Sequence, residues 1–260
     1  MRDRGFLTPT LAQLLGDLLS ESGARDEALR TYSEVIEFDP DSALSRRVLG
    51  DVYLRQGWFK EAYRQYKTLT ELEPKDATNW LRLAHAAAGS GRIDEALRIE
   101  KDIATGEGSP GPNDPRYWAR LWSATRLSHL LNEPTSTQSL ATREAIGRKL
   151  KELQLFSGAS TLQFLVWADI DARIALVAAD ETKGILLGEK TDAGVTGLYA
   201  VLAPTETANQ NHWAVRWVAD PPMGRSVKFQ FITLVWDGKK FEVKIQPGEL
   251  KADVKQLSIQ

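Results

Sequence analysis

Through the first hundred residues, apolar positions recur at the period of a helix. Leu11, Leu15 and Leu19 fall on one helical face, Gly23 permits a turn, and Asp26-Glu27-Ala28-Leu29 opens a second helix. Acidic residues suit that position because the unpaired amides and dipole of a helix N-terminus favour negative charge. The arrangement then returns at an offset of 34 residues with Leu49, Gly50, Tyr53, Gly57 and Lys60-Glu61-Ala62-Tyr63, and returns again with Trp80, Leu83, Ala87, Gly91 and Asp94-Glu95-Ala96-Leu97. Aligned at that offset, Gly16, Gly50 and Ala84 coincide, as do Gly23, Gly57 and Gly91, and Ala28, Ala62 and Ala96. Tyr32 pairs with Tyr66, and Pro40 with Pro74. Small residues at 28, 62 and 96 let two helices approach closely, and the tyrosines fill the larger gap beyond. Such a period marks a solenoid of helix pairs that bury their apolar faces by stacking on neighbours.

These residues resemble the tetratricopeptide repeat family over about 9–42, 43–76 and 77–110. The resemblance implies right-handed stacked helix pairs, the first helix of each lining a groove for a protein or peptide partner. Groove positions would be Gln13 and Asp17, then Arg47, Asp51 and Arg55, then Thr78, Arg82 and His85. Two readings stand for these side chains: a ligand groove, or a solvated face with pairing between residues one turn apart. Members that hold a chaperone's C-terminal carboxylate use a clamp of lysine and asparagine. Here Gln13, Asp17, Val48, Asp51 and Thr78 stand where most of that clamp would be, and only Arg82 agrees, so chaperone-tail binding is not expected.

Regularity fades in the third unit, where Glu100 occupies the aromatic position and Gly108 the proline position. Gly106 to Pro115 reads as a loop. Asp114-Pro115 then supplies an N-cap and a proline at the first helical position. Trp118, Leu121, Trp122, Leu127, Leu130 and Leu131 follow at helical spacing until Pro134, and a further helix is expected over about 139–155. This pair is expected to cap the solenoid and join it to the C-terminal part of the chain.

From Thr161 the period switches to alternation. Strands are expected at Thr161 to Trp167, Arg173 to Ala178, Gly194 to Leu202, Trp213 to Val218, Ser226 to Trp236 and Phe241 to Ile245, with Leu250 to Ile259 supplying a last one. Asp237-Gly238 reads as a two-residue hairpin connection. Seven or eight strands without an intervening helix predict an antiparallel β-sandwich, with Trp167, Trp213, Trp217 and Trp236 as core or edge packing.

The β module is similar, through Leu162 to Trp167, Asp169, Asp171, Ile174-Ala175-Leu176-Val177 and the turn at Asp180-Glu181, to the domain of unknown function that follows tetratricopeptide repeats in bacterial proteins with VIT and von Willebrand A domains. That family's first loop usually carries more acids; Ala168, Ile170 and Ala172 interrupt it here. Calcium takes six to eight oxygens, which Asp169 and Asp171 do not supply, so turn formation is the expected role of these acids.

Composition narrows the function classes. Net charge is −2, and neither half hides an asymmetry: through residue 159 there are 22 basic and 23 acidic residues, and beyond it 11 and 12. Nucleic-acid binders show a basic excess or stripe, so none is expected as partner. The absence of cysteine excludes disulfides, thiolate metal sites and cysteine nucleophiles together. His85, His129 and His212 fall in separate segments without metal-ligand spacing, and no nucleophile elbow, phosphate loop or dinucleotide fingerprint is present. No metal or cofactor is therefore expected. Met1-Arg2-Asp3-Arg4-Gly5 lacks a signal-peptide core and reads as the start of an excised fragment, and no apolar run approaches a membrane span. The periplasm or cell surface of a bacterium is expected if a native N-terminus is missing, the cytoplasm otherwise.

The expected architecture is α+β and multidomain: a solenoid over 1–110, a helical connector over 111–158 and a β-sandwich over 159–260. A non-catalytic protein-binding or assembly module follows from it. Its rivals are a carbohydrate- or ligand-binding sandwich with the repeats as spacer, which needs exposed tryptophans, and a hydrolase converging His212 with acids such as Asp220.

Overall fold

In the computed structural model, the described residues are 8–38, 41–105, 114–134, 138–156, 160–168, 172–178, 197–204, 213–221 and 224–259. They form eight helices followed by seven strands. The chain divides into two compact units, Met1–Ala96 and Leu97–Gln260, each with its own packing.

The first unit holds α1 (Pro9–Glu21), α2 (Arg25–Phe38), α3 (Ala43–Arg55), α4 (Phe59–Leu72), α5 (Ala77–Gly89) and the start of α6 (Ile93–Ala104). Each first helix of a repeat begins at a side-chain cap: Thr8, Ser42 and Asp76 accept from the backbone N–H of Leu11, Ser45 and Thr78. These caps satisfy amides that the helix itself leaves unpaired. Each pair turns at a glycine with positive φ: 81° at Gly23, 70° at Gly57 and 87° at Gly91. Side chains other than glycine avoid that region, which is why the three glycines keep the 34-residue spacing. Ala28, Ala62 and Ala96 are fully buried, as are Tyr32 and Tyr66.

The second unit begins within α6 and continues with α7 (Pro115–Asn132) and α8 (Leu140–Glu152). Asp114 caps α7 through the Arg116 amide at 2.9 Å, with Pro115 at the first turn. Seven strands follow: β1 (Ser160–Trp167), β2 (Ile174–Ala178), β3 (Gly197–Pro204), β4 (Trp213–Trp217), β5 (Val227–Trp236), β6 (Phe241–Leu250) and β7 (Gln256–Ile259). They make two antiparallel sheets, ordered β3-β1-β5-β6 and β2-β4-β7.

Alternation along β1 and β5 sends side chains to two different interiors. Leu165, Trp167, Phe229 and Phe231 join Ile174, Leu176, Trp213 and Val215 in one core between the sheets. Leu162, Phe164, Ile232 and Leu234 are equally buried on the opposite face, paired in register as Leu162 with Leu234 and Phe164 with Ile232. Helix α7 packs against β5 and β6. The four-stranded sheet is thus covered on both faces, and its two central strands read as near-continuous apolar runs for that reason.

Two details of the β region differ from the sequence reading. The β5–β6 connection has four residues, Asp237 to Lys240, with Trp236 opposite Phe241. Asp237 Oδ1 accepts from the amides of Lys239 (2.7 Å) and Lys240 (2.8 Å), and Gly238 takes a φ of 96°. That Asx cap stabilises a longer turn than the Asp-Gly pair alone implied. Strand β6 also runs on to Leu250, through Pro247, and the last strand starts only at Gln256. Proline is tolerated there because β6 is an edge strand. Gly248 is required opposite Phe229, whose ring lies 2.4 Å from where a Cβ would stand.

Candidate partner-binding site

The first helices of the repeats carry all the proposed groove residues, and the repeat geometry decides which of them are engaged. Gly16 leaves room for the Tyr32 ring, and the Tyr32 hydroxyl donates to Asp17 Oδ1 at 2.6 Å. One period on, Gly50 leaves room for Tyr66, whose hydroxyl donates to Asp51 Oδ1 at 2.6 Å. In each case the glycine admits the ring, and the next residue in sequence receives its hydroxyl. Burial, followed by the charge and hydrogen bond of Asp51, holds the Tyr66 phenol far above its ordinary range, so it remains the donor. Tyr32 is pushed the same way, by burial first and then by Asp17. Asp51 is itself raised by burial, against the pull of Tyr66, Arg82 and Arg47.

Two of the predicted bases act within this frame. Arg82, 9% exposed, pairs through Nε with Asp51 Oδ1 at 3.4 Å and ties the third repeat to the second. Arg47 donates to Glu73 Oε2 at 2.8 Å and lies 3.7 Å from Asp76 Oδ2. The Asn79 amide donates to the same Glu73 oxygen at 2.8 Å. Glu73 and Asn79 therefore belong to this face although spacing did not single them out. Glu73 ends α4 as its C-cap and Asn79 lies in the first turn of α5, and neither position carries a spacing signal.

Arg55 is exposed near the end of α3, and Thr78 is half-buried in the first turn of α5. His85 stands one period after Asp51, half-buried, with the Phe59 ring edge-on at 6.3 Å. Gln13 lies on α1, and its side chain falls outside the described residues. Among the described residues no three His, Asp or Glu side chains gather as a metal ion would require. Asp169, Asp171, the Asp180-Glu181 turn and His212 lie outside the described residues. Trp167 and Trp213 are buried between the sheets, Trp217 donates to the Lys251 carbonyl at 3.1 Å, and Trp236 is half-buried. They form no flat exposed aromatic face.

Family comparison agrees with the repeats over residues 16–112. Residues 16–57 match the family described as TPR repeat, and residues 49–112 match the family described as tetratricopeptide repeat. This part of the chain carries tetratricopeptide repeats, a fold whose arrays serve as binding scaffolds for proteins. Among solved structures, MamA MSR-1 is similar at 20% identity over 58% of this chain and 80% of that one, with a TM-score of 0.37. MamA 41-end from Desulfovibrio magneticus RS-1 is similar at 16% identity over 56% and 76%, with a TM-score of 0.34. A tetratricopeptide repeat protein from Parabacteroides merdae ATCC 43184 aligns at 16% identity over 58% and 72%, with a TM-score of 0.22. No curated protein matches the chain. Among the described residues, no helix is long and apolar enough to cross a membrane.

Proposed function

We propose that the chain is a non-catalytic protein-interaction and assembly module whose repeat array holds a protein or peptide partner along its first helices. The observation that carries this reading is the repeated tie of glycine, tyrosine and aspartate. It commits Asp17, Asp51 and Arg82 to the framework, and the half-exposed Arg47 and the exposed Arg55 of α3 are the charges on which selection of an acidic partner would rest. The groove residues in contact with such a partner would be Arg47 and Arg55, with Thr78 and His85 at its margins; Arg82 and the two aspartates hold the helices in place. The order of repeats, helical connector and β module further supports a place in a larger bacterial surface or envelope protein. The length of the full gene, with or without an upstream signal peptide and von Willebrand A domain, decides that point.

The test of the groove is capture of a partner by the immobilised chain, compared with Arg47→Glu and Arg55→Glu variants of unchanged circular dichroism. Loss of capture supports the groove. Capture that is unaltered by both reversals removes it.

A further inference from the structure

A cleft of about 860 Å³ lies wholly within the second unit, between the end of α7, α8 and the β5–β6 hairpin. Its size is that of a ligand site, for which about 300–1,000 Å³ is usual. Leu131, Leu140, Trp236, Phe241 and Val243 give it an apolar surface. Phe241 is buried against Trp236, with ring centroids 4.6 Å apart, while Leu140 is 74% exposed at the margin. An exposed leucine beside a half-buried indole is a surface that gains by being covered.

The charges around this surface are unevenly committed. Arg143 donates to the Leu131 carbonyl at 2.9 Å, closing the end of α7, and Lys240 pairs with Glu242 two residues further on, at the start of β6. The Lys151 ammonium sits 4.2 Å from the centre of the Trp236 ring. Arg148 and Lys239, both exposed and both lining the cleft, form no ion pair among the described residues, and Lys239 lies near the Asp237 carboxylate, which the Lys240 and Lys239 amides and then the charges of those two lysines hold below its ordinary range. Against them stand Glu133, which accepts from Gln138 at 2.9 Å, and Glu144. The available charge is therefore positive, but it is dispersed and interrupted by acids. Carboxylates spaced along a chain suit that pattern, whereas a phosphate cluster would meet Glu133, Glu144 and Glu242 at close range.

We propose that this cleft is a second binding site, for an acidic peptide segment carrying a large apolar side chain. The apolar residue covers Leu140 and the exposed edge of Trp236, and flanking carboxylates pair with Arg148 and Lys239. The site shares no residue with the repeat face, so either can fail without the other.

Fluorescence anisotropy of the full chain with a short labelled peptide, Asp and Glu alternating around Phe-Leu, tests the proposal. Saturable binding is expected, abolished when the acids are replaced by Lys and weakened when Phe-Leu is replaced by Ser-Ser. Arg148→Glu with Lys239→Glu should raise Kd at least about tenfold, while Arg55→Glu on the repeat face should change it less than about twofold. Leu140→Ser, at a position too exposed to affect folding, should raise Kd about fivefold. Absence of saturation, equal binding of the lysine peptide, indifference to both sets of cleft variants, or displacement by millimolar ATP or inorganic phosphate would each overturn it.

Discussion

Gly50→Ala in α3 is the sharpest probe of the repeat geometry, because two effects of similar size oppose each other there. Alanine in a helix interior is favoured over glycine by about 1 kcal/mol. The new Cβ, however, would stand 2.5 Å from Cε1 and 2.7 Å from Cζ of Tyr66. Ordinary contact requires a retreat of about 1 Å. Tyr66 has nowhere to go: it is 0% exposed, and its hydroxyl is held by Asp51 at 2.6 Å. Overpacking of this kind costs about 1–3 kcal/mol. A ring that shifts far enough to relieve it stretches a hydrogen bond to a charged acceptor, itself a contribution of about 1.5–3 kcal/mol. Set against the gain of about 1 kcal/mol from alanine, either route leaves a net loss of about 0.5–2 kcal/mol. In a Tyr66→Ala background the obstacle is gone, and Gly50→Ala should stabilise by about 0.5–1 kcal/mol. Urea unfolding followed by helical circular dichroism reads both sides of this cycle. The sign must reverse between backgrounds; a Gly50→Ala variant as stable as the parent, or one that loses the same amount without Tyr66, refutes the account of why small residues recur at this position.

Gly57→Ala isolates the backbone contribution, since nothing lies within 4 Å of a Cβ at that residue but its φ is 70°. It should cost about 1–2 kcal/mol in the same urea experiment, unaffected by Tyr66→Ala. Glu100 gives a pH dependence. Burial raises its carboxyl above the ordinary 4.5, against the pull of Arg126 and Ser123. A raised carboxyl means that the folded state holds its proton longer than the unfolded one. Its contribution is fully present below the ordinary value and is lost as pH rises through the folded value. The stability of the parent chain relative to Glu100→Gln should accordingly fall as pH is raised from the ordinary glutamate range towards neutrality, measured by urea unfolding at each pH; a difference that grows with pH contradicts the buried placement.

The helical half was legible because its determinants are local and repeated. Gly23, Gly57 and Gly91 specify a backbone angle, and Ala28, Ala62 and Ala96 specify an approach distance, neither of which needs knowledge of the rest of the chain. The engagement of the groove was not legible. That Asp17 and Asp51 serve tyrosines 15 positions later depends on how two helices face each other, and an aspartate on a helix surface reads the same whether solvated or tied. In the β half, alternation gave the strands, but Leu162, Phe164, Ile232 and Leu234 break a one-sided pattern. Their burial on the second face of the sheet explains the break, and it follows from the position of α7, which no strand period encodes. The cleft was missed for a related reason: its residues come from α7, α8 and the β5–β6 hairpin, none of them carrying a motif.

Glu100 joins these observations. At the position where Tyr32 and Tyr66 fill the gap between helices, the third repeat places a carboxylate that is 1% exposed. Along the sequence alone, this is decay of the pattern. In the structure, the carboxylate is bonded to Arg126 Nε at 2.8 Å and to Ser123 at 3.0 Å, both on α7. A buried charge is stable only when paired and hydrogen-bonded, and α7 supplies both conditions through residues 23 and 26 positions further along. A tyrosine at this position would make neither contact, and the Arg126 side chain, 10% exposed, would be left buried without its carboxylate. The loss of the aromatic is thus a change of partner, from a neighbouring helix of the same repeat to a helix outside the repeats. The 34-residue pattern stops where the chain takes up a different partner for its next helix.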